Sequence, residues 1–129
     1  MLHAGDLVDL EVFTPYTAGI DFKAVAGNMD SDWTRSRLPQ SRLLEVGGFR
    51  LGLAHGWGAP EGIERRLLGV FNDKPDIIIH GHTHKPRFDK IGEVLFFNPG
   101  SPVDLRFTKR GTVGRLTLGE EIEAEIISL

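Results

Sequence analysis

Three of the five histidines stand together at His80-Gly81-His82-Thr83-His84, directly after the β-branched run Ile77-Ile78-Ile79. Two imidazoles separated by one residue, flanked by glycine and fed by a buried strand, read as metal ligands rather than as packed histidines. Three other segments share the pattern of an apolar strand that ends in small residues and metal-capable side chains: Gly5-Asp6, Gly27-Asn28-Met29-Asp30, and Leu51 to Ala54 leading into His55-Gly56. Strand ends hold side chains rigidly, and glycine removes bulk so that several backbones can meet at one point. Imidazole, carboxylate and amide oxygen together suit a hydrolytic metal of the Mn, Fe, Co, Ni or Zn group. Taken singly the segments say less: Gly5-Asp6 reads as a turn, Asn28 equally as a left-handed turn residue, and His55 as a hydrogen-bonded loop histidine. The chain has no cysteine, so thiolate metal sites and cysteine nucleophiles are excluded and any metal must sit on nitrogen and oxygen.

The elements that must carry these residues follow from apolar patterning. Phe22 to Ala26 reads as a strand ending at Gly27, and Leu43 to Val46, Gly47-Gly48 and Phe49 to Ala54 read as a hairpin. Ile77 to Ile79 is a buried strand, and Val94 to Phe97, Val113 to Leu118 and Ile122 to Ile127 are three more. In the last, Glu121, Glu123 and Glu125 alternate with Ile122, Ala124 and Ile126, which gives one wet and one buried face. The one strong helix signal is Pro60 to Phe71, with Ile63, Leu67, Leu68 and Phe71 at helical spacing. A strand-rich α/β chain with one long helix fits a two-sheet β-sandwich flanked by helices better than a doubly wound parallel sheet.

Residues 1–129 form a single domain with enough apolar content to bury a core, and with 15 basic against 18 acidic residues the formal charge is −3. The mild acidity argues against a nucleic-acid partner. No apolar run reaches the length of a membrane span, and the start Met1-Leu2-His3-Ala4-Gly5-Asp6 has no signal core, so a cytoplasmic location is expected.

In order and content, Gly-Asp, Gly-Asn, His-Gly and Gly-His-x-His resemble the calcineurin-like metallophosphoesterase family, most closely its small YfcE-type phosphodiesterase branch. The resemblance runs from His3 to the final strand and includes Asn98-Pro99-Gly100-Ser101. It implies a two-sheet sandwich with two metal ions at one end and hydrolysis of a small or activated phosphate ester by a metal-bound hydroxide. Carried over, Asp6 bridges the two ions, Asn28, His55 and His82 complete one site, and His84 serves the other; Asp6, Asn28 and His55 are the residues expected at the chemistry. Mn2+ is the first choice of ion, with Ni2+, Fe2+, Co2+ and Zn2+ as alternatives. Met29 stands where larger relatives place a histidine that assists the leaving group, which implies a substrate needing little such help, or a water acting as the acid.

The family's opening strand, ending in Asp-x-His, has no counterpart here, and the match starts within the second strand at Leu2 to Asp6. The resemblance therefore implies a first strand and helix missing, one firm metal site, one weak or empty site, and an exposed sheet edge favouring homo-oligomers or strand exchange. It also admits a second function, a catalytically impaired binding scaffold like the retromer subunit of this fold. Among the remaining residues, Asp9 and Asp30 are expected as caps or loop residues, and His80 behind a ligand or packed at its strand end. His3 is expected in packing, Asn98 to Ser101 as a turn near the cleft, and Trp33 and Trp57 as rim or anchor residues.

Overall fold

The computed structural model describes residues 1–129, and its elements run β1 (Leu2–His3), α1 (Leu10–Thr17), β2 (Lys23–Ala24), α2 (Asp32–Arg37), β3 (Ser41–Val46), β4 (Phe49–Ala54), α3 (Ile63–Leu68), β5 (Ile77–Ile79), β6 (Arg87–Ile91), β7 (Val94–Asn98), β8 (Thr112–Leu118) and β9 (Ile122–Ser128). The main sheet has five strands in the order β3-β4-β5-β7-β6. Its centre is parallel, and its two edges are closed by the antiparallel hairpins β3–β4 and β6–β7.

Strand β5 shows why this sheet is covered on both faces. Alternate side chains of a strand point to opposite sides, and all three isoleucines of β5 are buried. Ile77 and Ile79 lie in register with Leu51 and Leu53 on one side and with Leu95 and Phe97 on the other. Together with Val25 these residues form one core, onto which pack Leu2 and Ala4 from the start of the chain and Leu116, Leu118, Ile122, Ala124 and Ile126 from β8 and β9. Ile78 and Phe96 face the other way, where Ile63, Leu67 and Phe71 cover them. The second layer of the expected sandwich consists of two separate ribbons, the parallel pair β1–β2 and the antiparallel hairpin β8–β9, with no backbone pairing between them.

Several elements differ in extent from the sequence expectation. The helix predicted over Pro60 to Phe71 is confined to Ile63–Leu68, because Gly62 at its N-cap is left-handed with φ of 76° and the preceding residues form a turn. The strand predicted over Phe22 to Ala26 pairs only at Lys23–Ala24, after which Ala26 N–H donates to the Pro39 carbonyl instead of to a ladder partner. Helices α1 and α2 and strand β6 carry no strong apolar periodicity. Helix α1 contains Pro15 and buries none of its residues, and it begins where the Asp9 carboxylate accepts from Glu11 N–H. Asp9 is thus the cap the sequence led one to expect. Asp30 is the loop residue the same expectation allowed: the cap of α2 is Ser31, whose hydroxyl accepts from Thr34 N–H.

Leu67 is fully buried between α3 and the sheet. Leu67→Ala is expected to lower unfolding free energy by about 2–5 kcal/mol through the cavity it leaves, read as a fall in the urea midpoint.

Candidate metal centre

Pairs β1–β2 and β4–β5 are parallel, so the loops after their C-terminal ends leave the fold in groups. His55 Nδ1, 2.6 Å from the Ala4 carbonyl, joins the two groups, and within the second Gly81 N–H donates to the His55 carbonyl at 3.1 Å. These loops carry Asp6, Asn28, His55, His82 and His84, and each of the five side chains faces at least one other. Such close convergence depends on glycine. A Cβ on Gly5 would stand 2.6 Å from His55 Nδ1, and one on Gly27 would collide with the backbone nitrogen and carboxylate of Asp6. Four non-glycine residues have positive φ, and three of them are Asp6 (60°), His82 (66°) and His84 (59°). Left-handed backbone in non-glycine residues is uncommon and costs about 1 kcal/mol or more, so packing must hold these residues in place.

The imidazoles share one arrangement. His55 Nδ1 faces the Ala4 carbonyl, His82 Nε2 faces the Gly58 carbonyl at 2.9 Å, and His84 Nδ1 faces Asp104 Oδ2 at 2.5 Å. Every oxygen that faces these rings can only accept, and in each ring the outer oxygen is the nearer one, so the single proton of the neutral imidazole goes to the outer nitrogen. The inner nitrogens then present lone pairs to oxygen atoms: His55 Nε2 stands 2.9 Å from Asn28 Oδ1 and 3.3 Å from Asp6 Oδ2, His82 Nδ1 3.2 Å from Asn28 Oδ1, and His84 Nε2 3.9 Å from Asp6 Oδ2. Lone pairs facing lone pairs call for a positive charge between them, and this donor set suits a divalent cation of the N/O-binding kind. The donors approach one another pairwise, and no three histidine or acidic side chains by themselves form a ready-made cation cluster.

Electrostatics agree with the geometry. Burial works to raise the Asp6 carboxyl, but the contact with His55 and the hydrogen bond from Met29 N–H, with the positive charge the neighbouring histidines can carry, outweigh it and hold the pKa below the ordinary value. Burial works to lower His55, and the Asp6 hydrogen bond and the Ala4 carbonyl reverse this and raise its pKa. His80 differs: burial, only partly offset by the Gly81 carbonyl and the Glu64 charge, pushes it from 6.5 to about 4. It packs edge-on to Phe96 as a neutral ring behind the loop.

Several supporting groups lay beyond sequence reasoning. Asn98, expected as part of a turn, is fully buried, and its amide donates to the Gly81 carbonyl at 2.9 Å and to Thr83 Oγ1 at 3.0 Å, clamping the loop that carries His82. Asp30 accepts from Val8 N–H and Gly27 N–H, both at 2.7 Å, and so ties the loops after β1 and β2 together. Arg66 donates to the carbonyls of Trp57, Ala59 and Glu61, fixing the segment around Gly58 that receives His82. Asp104 and Arg106 lie in a loop with no local signal of chemistry; only the acceptor they provide for His84 reveals them. His3 packs edge-on to Phe13 outside the cluster, Trp33 stacks under Arg37, and the side chains of Trp57 and Met29 are exposed. A recess of about 370 Å3 on the β8–β9 ribbon, lined by Arg115, Thr117, Glu123, Ala124 and Glu125, shares no residue with the cluster.

An α/β fold whose parallel strand ends gather nitrogen and oxygen donors defines the class of proteins that do chemistry at the carboxyl ends of strands. Over residues 1–121 the chain matches the calcineurin-like phosphoesterase superfamily domain, and it belongs to that family. A probable metallophosphoesterase of Methanothermobacter thermautotrophicus is 37% identical over 129 residues, covering 98% of this chain and 74% of the relative. The phosphodiesterase YfcE of Escherichia coli is 36% identical over 89 residues, covering 60% of this chain and 42% of its own length. The crystal structure of a predicted phosphoesterase from Streptococcus pneumoniae aligns with a TM-score of 0.79 at 25% identity, over 98% of this chain and 72% of that one.

Gly27→Ala is expected to destabilise the protein by about 1–3 kcal/mol, since the added methyl meets the backbone nitrogen of Asp6 as well as its carboxylate; denaturant unfolding checks this. His80 binds no proton in the native state down to about pH 4, whereas an unfolded histidine does below 6.5. Its contribution to stability is therefore full above 6.5 and falls as pH drops toward 4. An imidazole NMR titration of the metal-free protein is expected to give His80 a midpoint near 4.

Proposed function

We propose that this chain is a divalent-metal-dependent phosphodiesterase acting on a small or activated phosphate ester, with Mn2+ the first choice of ion and Ni2+, Fe2+, Co2+ or Zn2+ as alternatives. The observation that carries this reading is the inward aim of three ring nitrogens, those of His55, His82 and His84, onto the oxygens of Asp6 and Asn28. Asp6, Asn28, His55 and His82 would hold one ion firmly, and Asp6 with His84 a second one weakly. Bound there, a divalent ion supplies Lewis-acid stabilisation of charge on phosphoryl oxygens and a nucleophile at neutral pH.

The chain's own residues do the positioning. Met29 N–H holds Asp6 Oδ1 at 2.8 Å, which leaves Oδ2 turned toward the histidines. The Ala4 and Gly58 carbonyls keep His55 and His82 in the tautomers whose lone pairs point inward. The exposed Met29 side chain has no proton to give a departing alkoxide, which supports a substrate whose leaving group is stable on its own, such as an aryl or other activated ester. The same reading gives the protein a cytoplasmic location and a small phosphate ester as partner, with neither membrane nor nucleic acid. The charge of −3 supports the last point, and no helix is long and apolar enough to cross a membrane. The unpaired edges of the β1–β2 and β8–β9 ribbons support self-association.

Hydrolysis of bis-(p-nitrophenyl) phosphate with and without Mn2+ tests the proposal. Turnover is expected only with metal, and His82→Ala is expected to lose more than the roughly 10–100-fold typical for residues that merely support a ligand. Folded protein without Mn2+-dependent turnover would put the binding-scaffold reading first. In calorimetry Mn2+ is expected to bind at one tight site, with a second at least about tenfold weaker; two equal sites would overturn the assignment of ligands.

A further inference from the structure

Asp104 belongs to none of the segments whose residue types point to chemistry, yet its carboxylate is tied on several sides. Oδ2 lies 2.5 Å from His84 Nδ1. Arg106 reaches both oxygens with Nε, at 3.0 and 2.9 Å, places Nη2 2.6 Å from Oδ2, and donates its backbone N–H to Oδ1 at 3.0 Å. Asp104's own N–H donates to Ser101 Oγ at 3.0 Å, in a turn that follows the buried Asn98 after Pro99 and Gly100. The side chain is only 15% exposed. It is therefore a built feature of the loop and not a passing surface contact.

We propose that Asp104 is the positioning residue of His84: its hydrogen bond from Nδ1–H decides which ring nitrogen carries the lone pair and turns Nε2 toward Asp6. The only other polar side-chain group within hydrogen-bond distance of His84 Nδ1 is Arg106 Nη2, at 3.3 Å. That group can only donate, and it is already engaged with Asp104, so it cannot take the ring's proton. Of the three outer acceptors, Asp104 alone carries charge, so it holds the Nδ1 proton more firmly than a backbone carbonyl would. Asp104 thereby strengthens the cation position that has fewer protein donors. That this position takes a metal rests on the proposed function; the tautomer of His84 does not.

Long-range 1H–15N correlation spectra of the metal-free protein test the inference. Wild type is expected to show His84 as the pure Nδ1–H tautomer. In Asp104→Ala it should become a mixture rich in Nε2–H, while His55 and His82 keep their signals and so report an intact centre. In Mn2+ titrations Asp104→Ala should weaken the weaker site by about 10–100-fold and leave the tight one unchanged. Asp104→Asn, which retains an acceptor but no charge, should fall between. An unchanged His84 tautomer in Asp104→Ala overturns the proposal, as does equal weakening of both sites with loss of the His55 and His82 signals. Should wild type bind no Mn2+ at all, the proposed function fails and the tautomer measurement still decides the role of Asp104.

Discussion

Each histidine at the centre of this protein has one ring proton, and an oxygen outside the centre takes it. The Ala4 carbonyl, the Gly58 carbonyl and the Asp104 carboxylate hold the outer nitrogens of His55, His82 and His84, and the inner nitrogens are left as lone pairs directed at Asp6 and Asn28. Remove these acceptors and the same three rings could turn or change tautomer and offer protons instead. Much of the surrounding structure serves to hold the three oxygens still. Ala4 is placed by the β1–β2 ribbon that ends at His3, Gly58 by the three carbonyls Arg66 gathers, and Asp104 by the Ser101 turn that follows Asn98.

This arrangement needs backbone that the chain would not adopt freely. Asp6, His82 and His84 are left-handed, and the loops of Gly5 and Gly27 approach too closely for any side chain. Strain of this kind, about 1–3 kcal/mol per residue, persists only where the rest of the molecule over-determines the local conformation. Here the five-stranded sheet, sealed by a separate apolar core on each face, supplies that rigidity. Buried polar clamps from Asn98 and Asp30 pass it on to the loops. The apolar cores stabilise the fold, and the polar clamps set where its donors stand.

Some of this was legible in the residues before any fold was known. The runs Leu51 to Ala54 and Ile77 to Ile79 are strands because short apolar, β-branched segments bounded by glycine pack in no other way so easily, and donors follow each of them at once. The Gly47-Gly48 turn and the alternation in β9 were equally plain. Helix α1 was not, since with Pro15 inside it and no buried residue it shows no stripe to read. Helix α3 looked longer than it is, because apolar spacing continues through Phe71 while the backbone at Gly62 turns the other way.

Sequence alone determined which donors exist, that they are nitrogen and oxygen, and that they follow strand ends, because apolar runs and glycines are local properties of the chain. Tertiary structure decided which nitrogen of each ring faces inward. The acceptors responsible lie 51 residues from His55, 24 from His82 and 20 from His84. Two of them are backbone carbonyls, a group every residue has, and the third is an aspartate in an unremarked loop. A proton goes to the acceptor nearest in space, and only folding sets that distance.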